Sequence, residues 1–442
     1  MSDNRSMKYA EILSKIIQVE TISSRESQDI AKFLKFHEVL RQTYPNLFKV
    51  AEVENFDGSL LLKWKGTNSS LKPIILMNHH DVVEASGEWT HPPFSGAIAD
   101  GKVWGRGTLD TKGGMAMMFQ AAEELIREGY TPKRDTYFVT ACTEEIGGEG
   151  GDAISIELQK RGIKFHMVLD EGGMIMYDPI GGADGTFAMI GVGEKGYVDL
   201  KFIAKSNGGH ASAPGKNTPL VRLGKFMAEA EKAECFEVHM SDTVKEMLTR
   251  FSPTMSGVMK TACSNVNAFK PVLKKVMPMI SPAGAALLRT TLAFTMAKGA
   301  DGANVLPQEA SIVGNMRFIQ HQPNDASIEC ISKVAAKYDI ETEVLYQDYP
   351  CPVIDFKGEE FKIVEETINE IYPGIGVCPY VMTGGTDAKY YTPVCENAIR
   401  FAPLYIDPQQ YSSIHGLNEN IYQGTLPMGV DFYKTIIKKC NK

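Results

Sequence analysis

The sequence predicts an α/β protein with a mixed, mostly parallel central sheet, interrupted by an inserted α+β domain that carries an extra helical segment. Three observations point there. At 442 residues the chain is too long for one compact core and suggests two or so domains. Over residues 59–169 short apolar strands alternate with helical stretches, the pattern of a sheet with parallel centre strands. Around Gly191, Gly193 and Gly196 this gives way to half-polar alternating strands, and from about Tyr349 the first pattern returns. A discontinuous larger domain (1–194 and 349–442) therefore surrounds an insert (195–348) whose helical segment covers about 238–298.

Taken in order, residues 9–17 have an amphipathic pattern and predict a helix. Residues 48–54 and 59–64 read as strands, and 74–77 form an apolar run that ends abruptly on Asn78, His79, His80 and Asp81. A Gly/Pro/Trp-rich loop and the glycine-rich stretch 105–114 lead into residues 115–122, apolar on nearly all sides as a helix buried against a sheet must be. Strand 136–142, a glycine-rich turn, helix 152–160 and the short strand 167–169 follow. In the insert, 197–204, 310–318 and 342–346 alternate as half-solvated strands, with a helix over 325–338. The segment between them contains Met240, Met247, Met255, Met259, Met277, Met279 and Met296, and Pro253, Pro271, Pro278 and Pro282 are expected to break it into short helices. Helix 361–371, strand 398–401 and a helix near 428–438 complete the larger domain.

With 43% hydrophobic and 23% charged residues the composition is that of an ordinary globular protein. A formal charge of -8 and the lack of a Lys/Arg run argue against a nucleic-acid surface, and nothing reads as a membrane span. The polar start and absence of a secretory h-region favour the cytoplasm. The 8 cysteines are scattered without a Cys-x-x-Cys pair, which predicts reduced thiols and neither disulfides nor a thiolate metal site.

The chemistry concentrates at predicted strand ends. His79 and Asp81 share a face of extended backbone. Asp110, the pair Glu144 and Glu145, Asp170 and His415 are the other acids and imidazoles so placed. His and carboxylate donors without thiolates suit catalytic zinc, with cobalt or manganese as substitutes. Two His and three carboxylates are too many for one tetrahedral ion and fit two ions bridged by a carboxylate and a water. In the Glu144-Glu145 pair, one side chain can ligate while its neighbour hangs free as a general base.

His79-His80-Asp81, the stretch Gly105-Arg106-Gly107-Thr108-Leu109-Asp110-Thr111-Lys112-Gly113-Gly114, Glu144-Glu145, Asp170 and His415 resemble, in order and spacing, the motifs of the dizinc aminoacylase and carboxypeptidase family. That family includes aminoacylase, glutamate carboxypeptidase, acetylornithine deacetylase, succinyl-diaminopimelate desuccinylase, carnosinase and vacuolar carboxypeptidase S. The resemblance implies a zinc-exopeptidase catalytic domain with a lid and dimerisation domain. It further implies His79, Glu145, Asp170 and His415 as terminal ligands, Asp110 as the bridge, Asp81 as the residue orienting His79, Glu144 as the base, and a cis peptide after Asp110. Gly208-Gly209-His210-Ala211-Ser212 resembles the motif whose His stabilises the oxyanion, commonly from the partner subunit of a homodimer. Asn304 and Arg317 look like lid residues that grip substrate, Arg317 by clamping a carboxylate. Gly384, Gly385 and Thr386 resemble the glycine loop whose backbone amides can also hold that carboxylate. Glu84 and Lys389 depart from common residues without touching a ligand.

The resemblance implies a metal-dependent hydrolase that cleaves the amide of an N-acyl amino acid or short peptide and releases a C-terminal amino acid. The long insert is similar to that of carboxypeptidase S and the N-fatty-acyl-amino-acid hydrolases. Its methionines are either an adaptable apolar substrate wall or the core of a helical subdomain. Lys274, Lys275 and Arg289 interrupt the apolar run and argue against a membrane-interface role. A dipeptidase, or a deacylase of acetyl or succinyl amino acids, is the alternative enzyme; a non-catalytic metal-binding relative would lack a ligand or the base, and none is missing. The enlarged insert could also take the place of a dimer partner.

Overall fold

The computed structural model describes residues 2–442. Its 10-stranded sheet runs Glu52–Phe56, Ser59–Trp64, Thr136–Ala141, Ile74–His79, Met167–Asp170, Ala398–Arg400, Thr186–Glu194, Ile175–Tyr177 and Tyr405–Ile406, with Gly376–Met382 also paired to Thr186–Glu194. The strands Thr136–Ala141, Ile74–His79, Met167–Asp170 and Ala398–Arg400 are parallel neighbours. All six residues of Ile74–His79 are buried, as a strand covered by helices on both faces requires. Because the register pairs His79 with Ala141, the carboxyl ends of these strands lie side by side. That edge is where open α/β sheets bind ligands.

Helix Lys112–Arg127 is buried over almost its whole length against this sheet. Its entry admits only glycine at two positions, since a Cβ on Gly113 would lie 2.1 Å from the Thr108 carbonyl oxygen and one on Gly114 2.3 Å from Asn78 Oδ1. A second, 4-stranded antiparallel sheet is ordered Thr291–Lys298, Glu309–Phe318, Gly196–Lys205, Glu341–Asp348. Helices Pro219–Ala230 and Asn324–Ala336 cover one face, where Val198, Leu200, Phe202, Leu223, Phe226 and Ile331 share a core.

Several expected elements shift. Residues 48–50 end a short helix, Pro45–Val50, started by Pro45 at its first turn, so the strand begins only at Glu52. Pro271 and Pro278 do not break the chain but lie inside helix Val266–Ile280. The helical segment comprises Asp242–Phe251, Gly257–Ser264, Val266–Ile280 and Pro282–Leu288, and residues 291–298 form an edge strand of the second sheet. These helices pack on the large sheet: Met240, Met247, Phe251, Met255 and Met277 share a core with Phe187, Met189 and Cys378. The helices of the insert therefore pack on the large sheet, and only its strand Thr291–Lys298 joins the second one.

The cysteine expectation is corrected as well. Cys235 and Cys330 form a disulfide across a sequence separation of 95 residues, which tandem spacing patterns cannot reveal. The other cysteines are free and buried. Among the described residues no helix is long and apolar enough to cross a membrane.

Candidate metal centre and active-site cavity

His79 is the last residue of its strand, and Asp81 ties it to the neighbouring strand end. The His79 Nδ1 lies 3.0 Å from the Asp81 carbonyl oxygen and 3.4 Å from Asp81 Oδ1. Asp81 Oδ1 accepts the Glu144 amide at 3.2 Å, and Oδ2 accepts the Glu145 amide at 3.1 Å and the Ser23 hydroxyl at 2.7 Å. One fully buried carboxylate thereby fixes an imidazole and the acidic pair together. Glu144 and Glu145 themselves lie in a 3-10 turn, Glu144–Ile146, beyond the strand. That tight turn, and not strand alternation, splays their side chains apart.

Asp110 lies in a loop, and the residue that holds this loop went unnoticed in the sequence. Glu419 Oε1 accepts the amides of Gly107 at 3.1 Å, Leu109 at 2.7 Å and Asp110 at 3.2 Å, while Oε2 pairs with Arg106 at 2.7 Å. Strand Asn420–Tyr422 pairs with Lys102–Trp104, and this small sheet delivers the His415 loop to the Asp110 loop. The Asp110–Thr111 peptide is cis, and His415 has a φ of 57°, in the left-handed region that non-glycine residues rarely adopt.

The Asp110 carboxylate sits between two imidazoles. Its Oδ1 is 3.0 Å from His79 Nε2, and its Oδ2 is 3.0 Å from His415 Nε2, which is also 3.1 Å from Glu145 Oε2. Donor atoms of His79, Asp110 and Glu145 lie within 4.8 Å of one another. Glu145 Oε1 and Asp170 Oδ2 are buried without a hydrogen-bond partner. Buried carboxylate oxygens left bare beside imidazole nitrogens are what a divalent cation satisfies, so the donor set fits a metal. Asp170 ends the strand next to His79 and keeps only Oδ1 engaged, by the Glu171 amide at 2.9 Å. Arg400, its neighbour in register, forms a fully buried pair with Glu194 at 2.5 Å. This pair also escaped sequence reading, because its members are 206 residues apart.

The electrostatics show what a cation must displace. Hydrogen bonds to Asp110 and Glu145 raise the His415 imidazole to about 10. In His79 burial opposes the charged ring, but Asp110 and Asp81 outweigh it and hold it well above its ordinary value. Burial pushes Glu144 well above the carboxylate range and lifts Asp170 to about 6. With a folded value above the ordinary 6.5, the His415 pairing stabilises stripped protein fully below that pH and fades as pH rises through about 10. A cation needs the neutral ring, so its affinity runs the opposite way. Loading stripped protein with a divalent cation near neutral pH is expected to release protons, with affinity strengthening as pH rises across that window. Calorimetry in buffers of different ionisation enthalpy counts the protons, and a count of zero would refute imidazole ligation.

A cavity of about 660 Å³ opens over this cluster. Asp110, Glu144, Glu145 and His415 line it together with Arg317, Gly384 and Gly385. Arg317 stacks on Tyr197 at 4.5 Å and donates to Asn315 at 3.1 Å, so the guanidinium is held over the cavity. Thr386 does not offer a free amide, since its N–H and hydroxyl both go to Glu194, at 3.1 and 2.6 Å. His210 and Asn304 lie side by side where Gly209–His210 pairs with Val305–Leu306. Both are exposed, and neither lines this cavity.

A mixed sheet whose parallel strand ends gather imidazoles and carboxylates under a lid defines a metallohydrolase. The chain belongs to peptidase family M20/M25/M40, whose model matches residues 75–439. It is 32% identical over 454 residues to the probable carboxypeptidase S-like 2 of Dictyostelium discoideum, covering 99% of this chain and 86% of that protein. With the N-fatty-acyl-amino acid synthase/hydrolase PM20D1 of Homo sapiens it shares 31% over 445 residues, 99% of this chain and 87% of the relative. In fold it is similar to the M20 family metallo-carboxypeptidase Sso-CP2 from Sulfolobus solfataricus, with a TM-score of 0.73 at 18% identity over 98% and 99% of the two chains. The chain is thus a hydrolytic enzyme of the metallopeptidase type.

Proposed function

We propose that this enzyme hydrolyses N-acyl amino acids bearing a long apolar acyl group and releases the free amino acid. The observation that carries this reading is the lining of the cavity: with Asp110, Glu144 and His415 it includes the apolar side chains of Met174, Met176, Met189, Met247, Leu287 and Met382. Flexible thioethers adapt to an alkyl chain of variable length. Of the insert's methionines only Met247 joins this lining, and Met240, Met255 and Met277 are core.

The residues divide the work. His79, Glu145, Asp170 and His415 would hold two ions, with Asp110 between them; zinc suits the donor set, and cobalt or manganese could substitute. When bound, such ions supply an acidified water and a polarised carbonyl. Glu144 takes the proton of the attacking water and returns it to the leaving amine. Asp81 keeps His79 and the acidic pair aligned. Arg317, with the Gly384 and Gly385 backbone, receives the carboxylate of the amino acid. Residues 1–194 and 349–442 act as the catalytic unit and 195–348 as the lid.

Release of phenylalanine from a long-chain N-acyl-phenylalanine should exceed that from alanyl-phenylalanine by about tenfold or more in kcat/KM. Faster cleavage of the dipeptide would sink the acyl reading and make the enzyme a peptidase.

The exposed His210 completes the oxyanion site of a second copy in a homodimer through the lid. Mixing the inactive variants His210→Ala and Glu144→Gln is expected to restore part of the activity, because one hybrid site then has both intact residues. No recovery, with hybrid dimers present by mass spectrometry, would refute catalysis across subunits.

A further inference from the structure

The part of the helical segment that follows helix Asp242–Phe251 is unlike the rest of the chain in charge. The protein carries 54 acidic and 46 basic residues, yet residues 251–300 contain no Asp or Glu and include Lys260, Lys270, Lys274, Lys275, Arg289 and Lys298. Lys260 and Lys275 are exposed, Lys270 and Lys274 half-buried, and none of these four lysines is ion-paired among the described residues.

The same segment exposes large apolar side chains. Val258 is 80% exposed, Met279 76%, Ile280 66% and Val272 55%. In helix Val266–Ile280 the residues Val266, Leu273 and Met277 face the core, while Val272, Lys275 and Met279, spaced three and four apart, share the opposite face. The lysines that interrupt the run in sequence therefore flank or share an apolar face in three dimensions. The chain leads from this helix to the active-site cavity. Helix Pro282–Leu288 follows Ile280 after Ser281 alone, and its Ala283, Ala286 and Leu287 line the cavity, with Ala283 also exposed.

We propose that this face docks on the surface of an anionic phospholipid bilayer, with Val258, Val272, Met279 and Ile280 in the acyl boundary and the lysines among the head groups. A helical face that presents apolar side chains beside unpaired lysines complements such a surface in both of its layers. Docking brings Ala283 near the bilayer, so a membrane-held acyl chain passes into the methionine-lined cavity without crossing water. The delivery role rests on the acyl-substrate reading above; docking itself does not.

Sedimentation of metal-loaded protein with vesicles of phosphatidylcholine alone, and of phosphatidylcholine with phosphatidylserine, tests it. Binding is expected to be at least about tenfold stronger with phosphatidylserine, the effect of a few lysines near an anionic surface. Lys274→Glu with Lys275→Glu should abolish that preference, and Met279→Asp with Ile280→Asp should weaken binding to both vesicles. Hydrolysis of a soluble short-chain substrate should stay unchanged in each, which also certifies folding. Turnover of a long-chain acyl amino acid held in the vesicles should fall with binding. Equal partition onto both vesicles, no binding, or unaltered binding in both variants would overturn docking. Capture on a polyglutamate matrix without vesicle binding would instead assign the face to an acidic protein and overturn it too. Anionic-vesicle binding by an enzyme that prefers the dipeptide would keep docking and discard the acyl reading.

Discussion

Glu144→Gln is expected to lower kcat by about 10²- to 10⁴-fold, the range that a lost general base costs, with KM little changed. The amide is nearly the same shape, and its backbone N–H still reaches Asp81 at 3.2 Å, so Glu145 and Asp110 keep their places. Metal content measured on the purified variant should match the parent. Glu144 Oε2 lies 3.8 Å from His79 Nε2, near the imidazole without being held by it, and burial makes its carboxyl a strong proton acceptor. Turnover within a few-fold of the parent would remove Glu144 as the base. Loss of metal together with activity would make it a ligand instead.

Glu419→Ala should be the most damaging single change to stability in the loop system. It removes the acceptor for three loop amides and leaves the Arg106 guanidinium buried without its carboxylate partner. Breaking a buried pair from one side costs about 3–5 kcal/mol. The bridging position suffers as well, because the Asp110 amide is one of those released. Denaturant titration should show the loss, and equilibrium dialysis should show weakened metal binding. Glu419→Gln, which keeps an acceptor but not the charge, should recover part of each. A Glu419→Ala protein with parental stability and metal affinity would remove Glu419 as the organiser of the loop.

His79, Asp110, Glu145, Asp170 and His415 could be picked out because each stands in a short stretch whose residue types are improbable except as a site: imidazole at the end of an apolar strand, acids bounded by glycines. Arg317, Gly384 and Gly385 were picked out through their resemblance to the family's motifs, and all three line the cavity. Glu419, Glu194 and Arg400 were not. Each is a single charged residue whose partners are local only in space, such as the loop amides that Glu419 holds from more than 300 positions away. Thr386 was picked out for a free amide that Glu194 in fact occupies. The Cys235–Cys330 bond was missed because its two halves sit on separate elements of the lid.

The sequence by itself determined the alternation of elements and the order of the candidate donors along the chain, since these depend on residue type and short-range period. Only the tertiary structure decided which methionines line the cavity, that the helical segment lies on the large sheet, and that His210 and Asn304 stand outside this chain's own cavity. Such questions turn on which face of an element meets which neighbour, and an apolar residue satisfies a core, a substrate wall or a lipid surface equally well until packing chooses between them.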